Sequence, residues 1–170
     1  MGREAGKDAT TGKALTHLDA AGRARMVDVG DKPVTSRRAV AEGRVRFSAP
    51  AFEMLRERRL AKGDALAVAR LAGVQAGKRT ADWIPLCHAV PLDHLDVEIV
   101  LAPQTCEAEV TATASARSAT GVEMEALVAV SAACLALYDM VKAADRGIEI
   151  GGIRLLEKSG GRSGSWRRQG

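Results

Sequence analysis

Aromatic residues are scarce in this chain: two Trp, two Phe and one Tyr make up 3% of its 170 residues. With so few rings to stack on bases, it is poorly equipped to read single-stranded nucleic acid or RNA. Cysteine is sparse too. Cys87, Cys106 and Cys134 are odd in number, widely spaced and without a Cys-x-x-Cys pair. That excludes a disulfide framework or cysteine-rich zinc site and points to a reducing, cytoplasmic compartment. The N-terminus, Met-Gly-Arg-Glu-Ala-Gly-Lys-Asp, leads into no apolar leader, and the longest uncharged run of note, the 13 residues Ala126 to Tyr138, is too short to span a bilayer. A soluble, non-exported protein is expected.

An excess of one charge is also missing from the body of the chain. The net charge of +4 resides in Lys158, Arg162, Arg167 and Arg168, because all 21 acids precede residue 158 and residues 1 to 157 balance at 21 against 21. A basic tail on a neutral domain is weak support for a nucleic-acid module. The length fits one domain with a sizeable core.

What is present organises itself around apolar periodicity. Residues 1 to 14 are small, polar and Gly-rich and read as a disordered tail, with the single domain beginning near Leu15 and running to residue 157. Arg44 to Phe47 alternates as a short strand, and Ser48 with Pro50 starts a helix over 49 to 59 that Lys62-Gly63 closes. Asp64 caps a second helix from Ala65 to about Lys78, whose Ala and Gly residues allow close packing. A proline-bounded loop, Ile84 to Leu92, follows. Leu95, Val97, Ile99 and Leu101 alternate with polar residues, as do Cys106 and the apolar residues up to Ala116, giving a hairpin turned at 102 to 105. A long helix over 122 to 144 and a strand Ile148 to Leu156, interrupted at Gly151-Gly152, complete the domain. The order predicts an α+β fold of the ferredoxin-like split βαβ type, an antiparallel sheet with helices on one face.

The long helix carries the first functional argument. Glu123 and Glu125 stand at its start, Asp139 and Lys142 near its end, and nothing charged lies between. Fourteen residues at about 1.5 Å each separate Glu125 from Asp139 by about 21 Å, too far for one small-molecule pocket in one chain. If both ends carry chemistry, a second subunit joins them. Asp139 and Lys142, three apart, share a face, although an ion pair in a last turn is also ordinary helix chemistry. Glu123 and Glu125, two apart, point nearly opposite ways, so at most one should face a given pocket.

Other candidates have plain alternatives. Leu86-Cys87-His88 sits between Pro85 and Pro91, a rigid mount for a reactive side chain or simply a surface histidine. With His94 it matches no defensible zinc spacing. Lys62 and Lys78-Arg79 end structural elements, where they meet an anion or only solvent. Lys158-Ser159-Gly160-Gly161-Arg162-Ser163-Gly164 has the composition of a phosphate cradle, or of a loose basic tail, without the order of a Walker A loop.

In order, Met26-Val27-Asp28-Val29, Lys62-Gly63-Asp64, Ala69-Arg70 to Lys78-Arg79-Thr80, Ile84-Pro85-Leu86-Cys87-His88, Thr120-Gly121-Val122-Glu123-Met124-Glu125-Ala126-Leu127, Tyr138-Asp139-Met140-Val141-Lys142-Ala143 and Arg154-Leu155-Leu156-Glu157-Lys158-Ser159-Gly160-Gly161 resemble the MoaC family, the cyclic pyranopterin monophosphate synthases of molybdenum cofactor biosynthesis. The resemblance spans about residues 15 to 166 and departs at Ala89, where many relatives have proline. It implies a ferredoxin-like subunit in a homohexamer, a trimer of dimers with sites at the dimer interface. The implied substrate is 3',8-cyclised dihydro-GTP from a radical SAM partner enzyme, and the implied products are cyclic pyranopterin monophosphate and diphosphate. By matching position, Asp139, Lys62 and Lys142 are the implied catalytic residues. Leu86, Cys87, His88, Met124 and Glu125 would contact substrate, with Glu123, Lys158, Arg37 and Lys78 as further binding groups. Residues 158 to 170 would complete the phosphate side. No resident cofactor or metal is implied, with room for Mg2+ arriving on the triphosphate. Proton transfer by these lysines calls for a pKa drawn down by a neighbouring cation and partial burial.

Overall fold

The computed structural model describes residues 23–169, so the expected tail and the domain start near Leu15 lie outside the described residues. Among the described residues, nine elements follow one another: β1 (Thr35–Arg46), α1 (Ala49–Arg56), α2 (Ala65–Gly77), α3 (Thr80–Trp83), β2 (His94–Ala102), β3 (Glu107–Ser118), α4 (Glu123–Val141), β4 (Glu149–Ser159) and β5 (Trp166–Arg167). The strands form one antiparallel sheet in the order β2-β3-β1-β4-β5. With α2 between β1 and β2 and α4 between β3 and β4, this is the expected ferredoxin-like α+β arrangement.

The β2–β3 hairpin follows the alternation in the sequence. Val97 pairs with Ala112 and Ile99 with Val110, and all four are buried toward α4. On β1, Ala39, Ala41, Gly43 and Val45 continue the same layer, while Arg38, Glu42, Arg44 and Arg46 face away, with ion pairs such as Arg46–Glu107 (2.7 Å) and Arg154–Glu42 (2.6 Å) on that side. A floor of alanines and one glycine lets α4 lie close on the sheet. A Cβ at Gly43 would fall 2.7 Å from Val130 Cγ1, so only glycine fits there.

The same device joins the helices. A Cβ at Gly73 of α2 would lie 2.8 Å from the Ala129 carbonyl oxygen of α4, and one at Gly77 would lie 3.1 Å from that of Glu125. Close backbone approach there satisfies the expected small-residue packing. Although α4 is long and apolar enough to cross a membrane by length and composition, Ala126, Val130, Cys134 and Leu137 are buried in the core, which accounts for that composition. Each fully buried aliphatic side chain there stabilises the fold by about 1.5–3 kcal/mol.

Several boundaries differ from the sequence reading. β1 is three times longer than Arg44 to Phe47: the run Ala39-Val40-Ala41 is buried on both sides, which erases alternation in the middle strand. α1 ends at Arg56 rather than 59, because Arg58 takes a left-handed conformation (φ 55°). Ser48 occupies the cap position without using its hydroxyl, whereas Asp64 accepts from the Leu66 and Ala67 amides as expected. The short elements α3 and β5 were not anticipated.

Candidate active site

α4 positions a different constellation at each end. At its N-terminal end, Thr120 and Gly121 lead into the helix and separate two adjoining cavities. The first, about 420 Å3, is bordered by Val27, Val29, Val90, the loop Leu86-Cys87-His88, and Glu123, Met124 and Glu125. The second, about 510 Å3, is bordered by Arg37, Lys158, Gly160, Gly161 and Arg162. Lys32, Thr120, Gly121 and Glu123 border both. The two volumes are therefore one bent cleft with a carboxylate-bearing lobe and a cationic, glycine-lined lobe.

Both Glu123 and Glu125 border the first lobe, contrary to the expectation that only one would. The lobe sits over the end of the helix rather than along its flank, so residues on different sides of the first turn reach it. Glu125 is only 3% exposed, and burial pushes its carboxyl above the usual range, with the Glu123 charge adding to the effect. Burial, then the Glu125 charge, also pushes the Cys87 thiol up, which keeps it a neutral lining group rather than a thiolate nucleophile.

In the cationic lobe, Lys158 Nζ lies 2.8 Å from Glu123 Oε1. Arg37 reaches from β1 to donate to the Ser118 and Ala119 carbonyls, each at 3.1 Å, tying the β3–α4 loop to the sheet. Gly160 (φ 102°) and Gly161 (φ 70°) turn β4 around this guanidinium: a Cβ at Gly160 would strike the Ser36 carbonyl oxygen, and one at Gly161 the Arg37 side chain. Backbone amides freed by such a turn, beside three cations, form an anion-binding concavity. Thr35, at the edge of this lobe, has a buried hydroxyl without a hydrogen-bond partner among the described residues.

The C-terminal end of α4 is an open charged surface. Asp139 Oδ2 is 2.8 Å from Lys62 Nζ and Oδ1 is 2.7 Å from Lys142 Nζ, with all three side chains about half exposed. Lys62 also donates to the Asp139 carbonyl at 2.8 Å. Hydrogen bonds from Lys142 and then Lys62 hold the Asp139 carboxyl down at about 2. Lys142 is in turn raised by Asp139, opposite to the lowering expected from a neighbouring cation and burial, because its nearest charged partner is an anion and its head is in water. An apolar recess beside Lys62 is walled by Met54, Leu60 and Met140.

The structure thus gathers Leu86, Cys87, His88, Glu123, Met124, Glu125, Lys158 and Arg37 in one cleft and Lys62, Asp139 and Lys142 in a second cluster. Lys78 joins neither: it is the exposed C-cap of α2 and borders neither lobe. Sequence reasoning missed Lys32 and Arg162 as lining residues. No spacing singles out Lys32, while Arg162 lay within a loop already noted for its composition. Among the described residues, no three His, Cys, Asp or Glu side chains gather as metal ligands.

A ferredoxin-like sheet carrying a two-lobed cleft, one lobe lined by cations and glycines and the other by carboxylates, has the form of a small-molecule site. The chain belongs to the MoaC family, whose pattern matches residues 26–161. It is 56% identical over 155 residues to the cyclic pyranopterin monophosphate synthase of Thermomicrobium roseum, covering 91% of this chain and 93% of the relative. To that of Chloroflexus aurantiacus it is 55% identical (91% and 94% covered), and to that of Parvibaculum lavamentivorans 54% (91% and 97%).

Proposed function

We propose that this protein is a cyclic pyranopterin monophosphate synthase of molybdenum cofactor biosynthesis, a lyase converting (8S)-3',8-cyclo-7,8-dihydroguanosine 5'-triphosphate into cyclic pyranopterin monophosphate and diphosphate. The observation that carries this reading is the bent cleft. A guanine-derived ring fits between His88, Met124 and Glu125, while a triphosphate meets Arg37, Lys158, Arg162 and the Gly160-Gly161 turn. The identity to relatives of that name over nine-tenths of the chain supports it.

Asp139, Lys62 and Lys142 are the acid–base groups. Lys142, its pKa raised, enters the reaction as an ammonium and donates first, and ionised Asp139 orients both lysines. These groups stand about 21 Å from Glu125 along one helix, so the complete site combines the cleft of one subunit with the charged cluster of another. Val68, Leu71, Trp83 and Leu135, each more than 40% exposed, supply apolar surface consistent with burial between subunits of a homohexamer built as a trimer of dimers. The substrate comes from a radical SAM GTP cyclase in the cytoplasm. Neither a resident metal nor a cofactor is required, and Mg2+ enters only with the triphosphate.

The test is turnover of enzymatically prepared cyclised GTP. Formation of cyclic pyranopterin monophosphate with equimolar diphosphate is expected; an intact, assembled protein that forms neither would contradict the assignment.

A further inference from the structure

Asp145 stands half-buried in the loop after α4, and its carboxylate joins two segments far apart in the chain. Its Oδ1 accepts from the Gly147 amide at 2.8 Å, a turn within the loop that fixes the direction of the carboxylate. Its Oδ2 accepts from the Ser48 amide at 2.7 Å, across 97 positions, at the start of α1. Those two amides, Ser48 first, hold the carboxyl below the usual aspartate range, so the tie is charge-assisted at neutral pH. The far end of the same segment is tied to the same helix. Lys62, in the turn that follows α1, donates to the Asp139 carboxylate and carbonyl, both at 2.8 Å.

Two ties thus hold one segment to the end of α4, and α1 between them is about 12 Å long. Packing fixes the first part of this segment and not the last. Phe52 and Leu55 root α1 in the core, but a recess of about 260 Å3 lies between Met54, Leu60 and Lys62 on one side and Met140 and Ala143 on the other. Where a recess stands in place of packing, the position of the Lys62 ammonium depends on where the segment begins.

We propose that Asp145 is a positioning residue: by fastening the start of α1 to the loop after α4, it sets the place at which the Lys62 ammonium meets Asp139 and Lys142. The inference rests on the role of Lys62 in the function proposed above. Proton transfer depends steeply on geometry, and a displacement of about 1 Å is enough to cost about 10²-fold in rate. Loss of the Asp145 tie frees the start of α1 while Phe52 keeps the helix docked, so a smaller cost of about 10-fold is expected.

Asp145→Ala removes the acceptor, and Ser48→Pro removes the donor at a residue whose φ of −64° already suits proline. Each should lower kcat about 10-fold with KM little changed, because both lobes of the cleft keep their residues. The double variant should be no slower than either alone. Asp145→Asn, which keeps an oxygen for the Ser48 amide, should restore part of the rate. On a Lys62→Ala background Asp145→Ala should have no further effect, whereas a general loosening of the fold would slow both backgrounds equally. A second readout needs no turnover: acetylation of Lys62 by acetic anhydride, followed by mass spectrometry, should quicken several-fold in Asp145→Ala while that of exposed Lys78 stays constant. Wild-type kcat in Asp145→Ala, unchanged Lys62 labelling, or an equal loss on the Lys62→Ala background would each overturn the assignment. If the wild-type protein forms no product the proposed function fails, and the labelling still decides whether Asp145 holds Lys62.

Discussion

At its N-terminal end α4 holds Glu125 almost wholly buried, with a carboxyl that burial pushes up; at its C-terminal end it holds Asp139 half exposed between two ammonium groups that hold its carboxyl at about 2. One apolar helix thus favours the protonated form at one acid and the ionised form at the other. The difference comes from surroundings, since the carboxyl chemistry is the same. Titratable groups driven apart in this way suit divided roles, and under the function we propose Glu125 would recognise the ring of the substrate while Asp139 would hold the lysines in place. Between the two ends, the alanine and glycine layer under α4 makes the helix a rigid spacer of fixed length.

The comparison breaks most visibly at the lysines. Lys62→Ala and Lys142→Ala should each lower product formation about 10²- to 10⁴-fold with folding and assembly intact. A variant that turns over normally would reduce that lysine to a helix-end charge. Gly160→Ala should act next, at the other end. A methyl group driven into the Ser36 carbonyl forces the turn open, so KM for substrate and inhibition by diphosphate should both worsen, with little change in the chemistry once substrate is bound.

Smaller effects sharpen the electrostatic half. Because the folded-state pKa of Glu125 is raised, its contribution to stability is full at pH below the ordinary glutamate value and is lost as pH rises through the folded value. Glu125→Gln should therefore melt a few degrees higher than the wild type at pH 7 and lose that advantage near pH 4, as calorimetry at the two pH values would show. Asp139 has the opposite sign: its lowered pKa contributes above the ordinary aspartate value and is lost only as pH falls toward 2. Because the cluster is exposed and screened, Asp139→Asn should barely move the melting temperature between pH 5 and 8 while strongly lowering turnover.

Much of this was legible from residue patterns, and the remainder has identifiable causes. The β2–β3 hairpin was readable because one face is buried and the other polar, while most of β1 was not, because Ala39-Val40-Ala41 is apolar throughout. Asp64 announced its cap; α3, only four residues long, gave no periodic signal. In the site, Asp139–Lys142 followed from helical spacing, but the Lys62–Asp139 contact joins positions 77 apart and depends on the fold bringing the turn after α1 to the end of α4. The glycine turn after β4 showed as composition. Lys32 showed as nothing until two cavities met beside it.

Under the function we propose, the two ends of α4 serve one site only across a subunit boundary. That claim is tested most directly by mixing two inactive variants, Glu125→Ala and Lys142→Ala, with subunit exchange verified by mass. Partial recovery of activity is predicted, because some interfaces in the mixed oligomer collect the intact cleft of one chain and the intact charged cluster of the other. Exchange without any recovery would contradict the shared site and place the whole reaction within one chain.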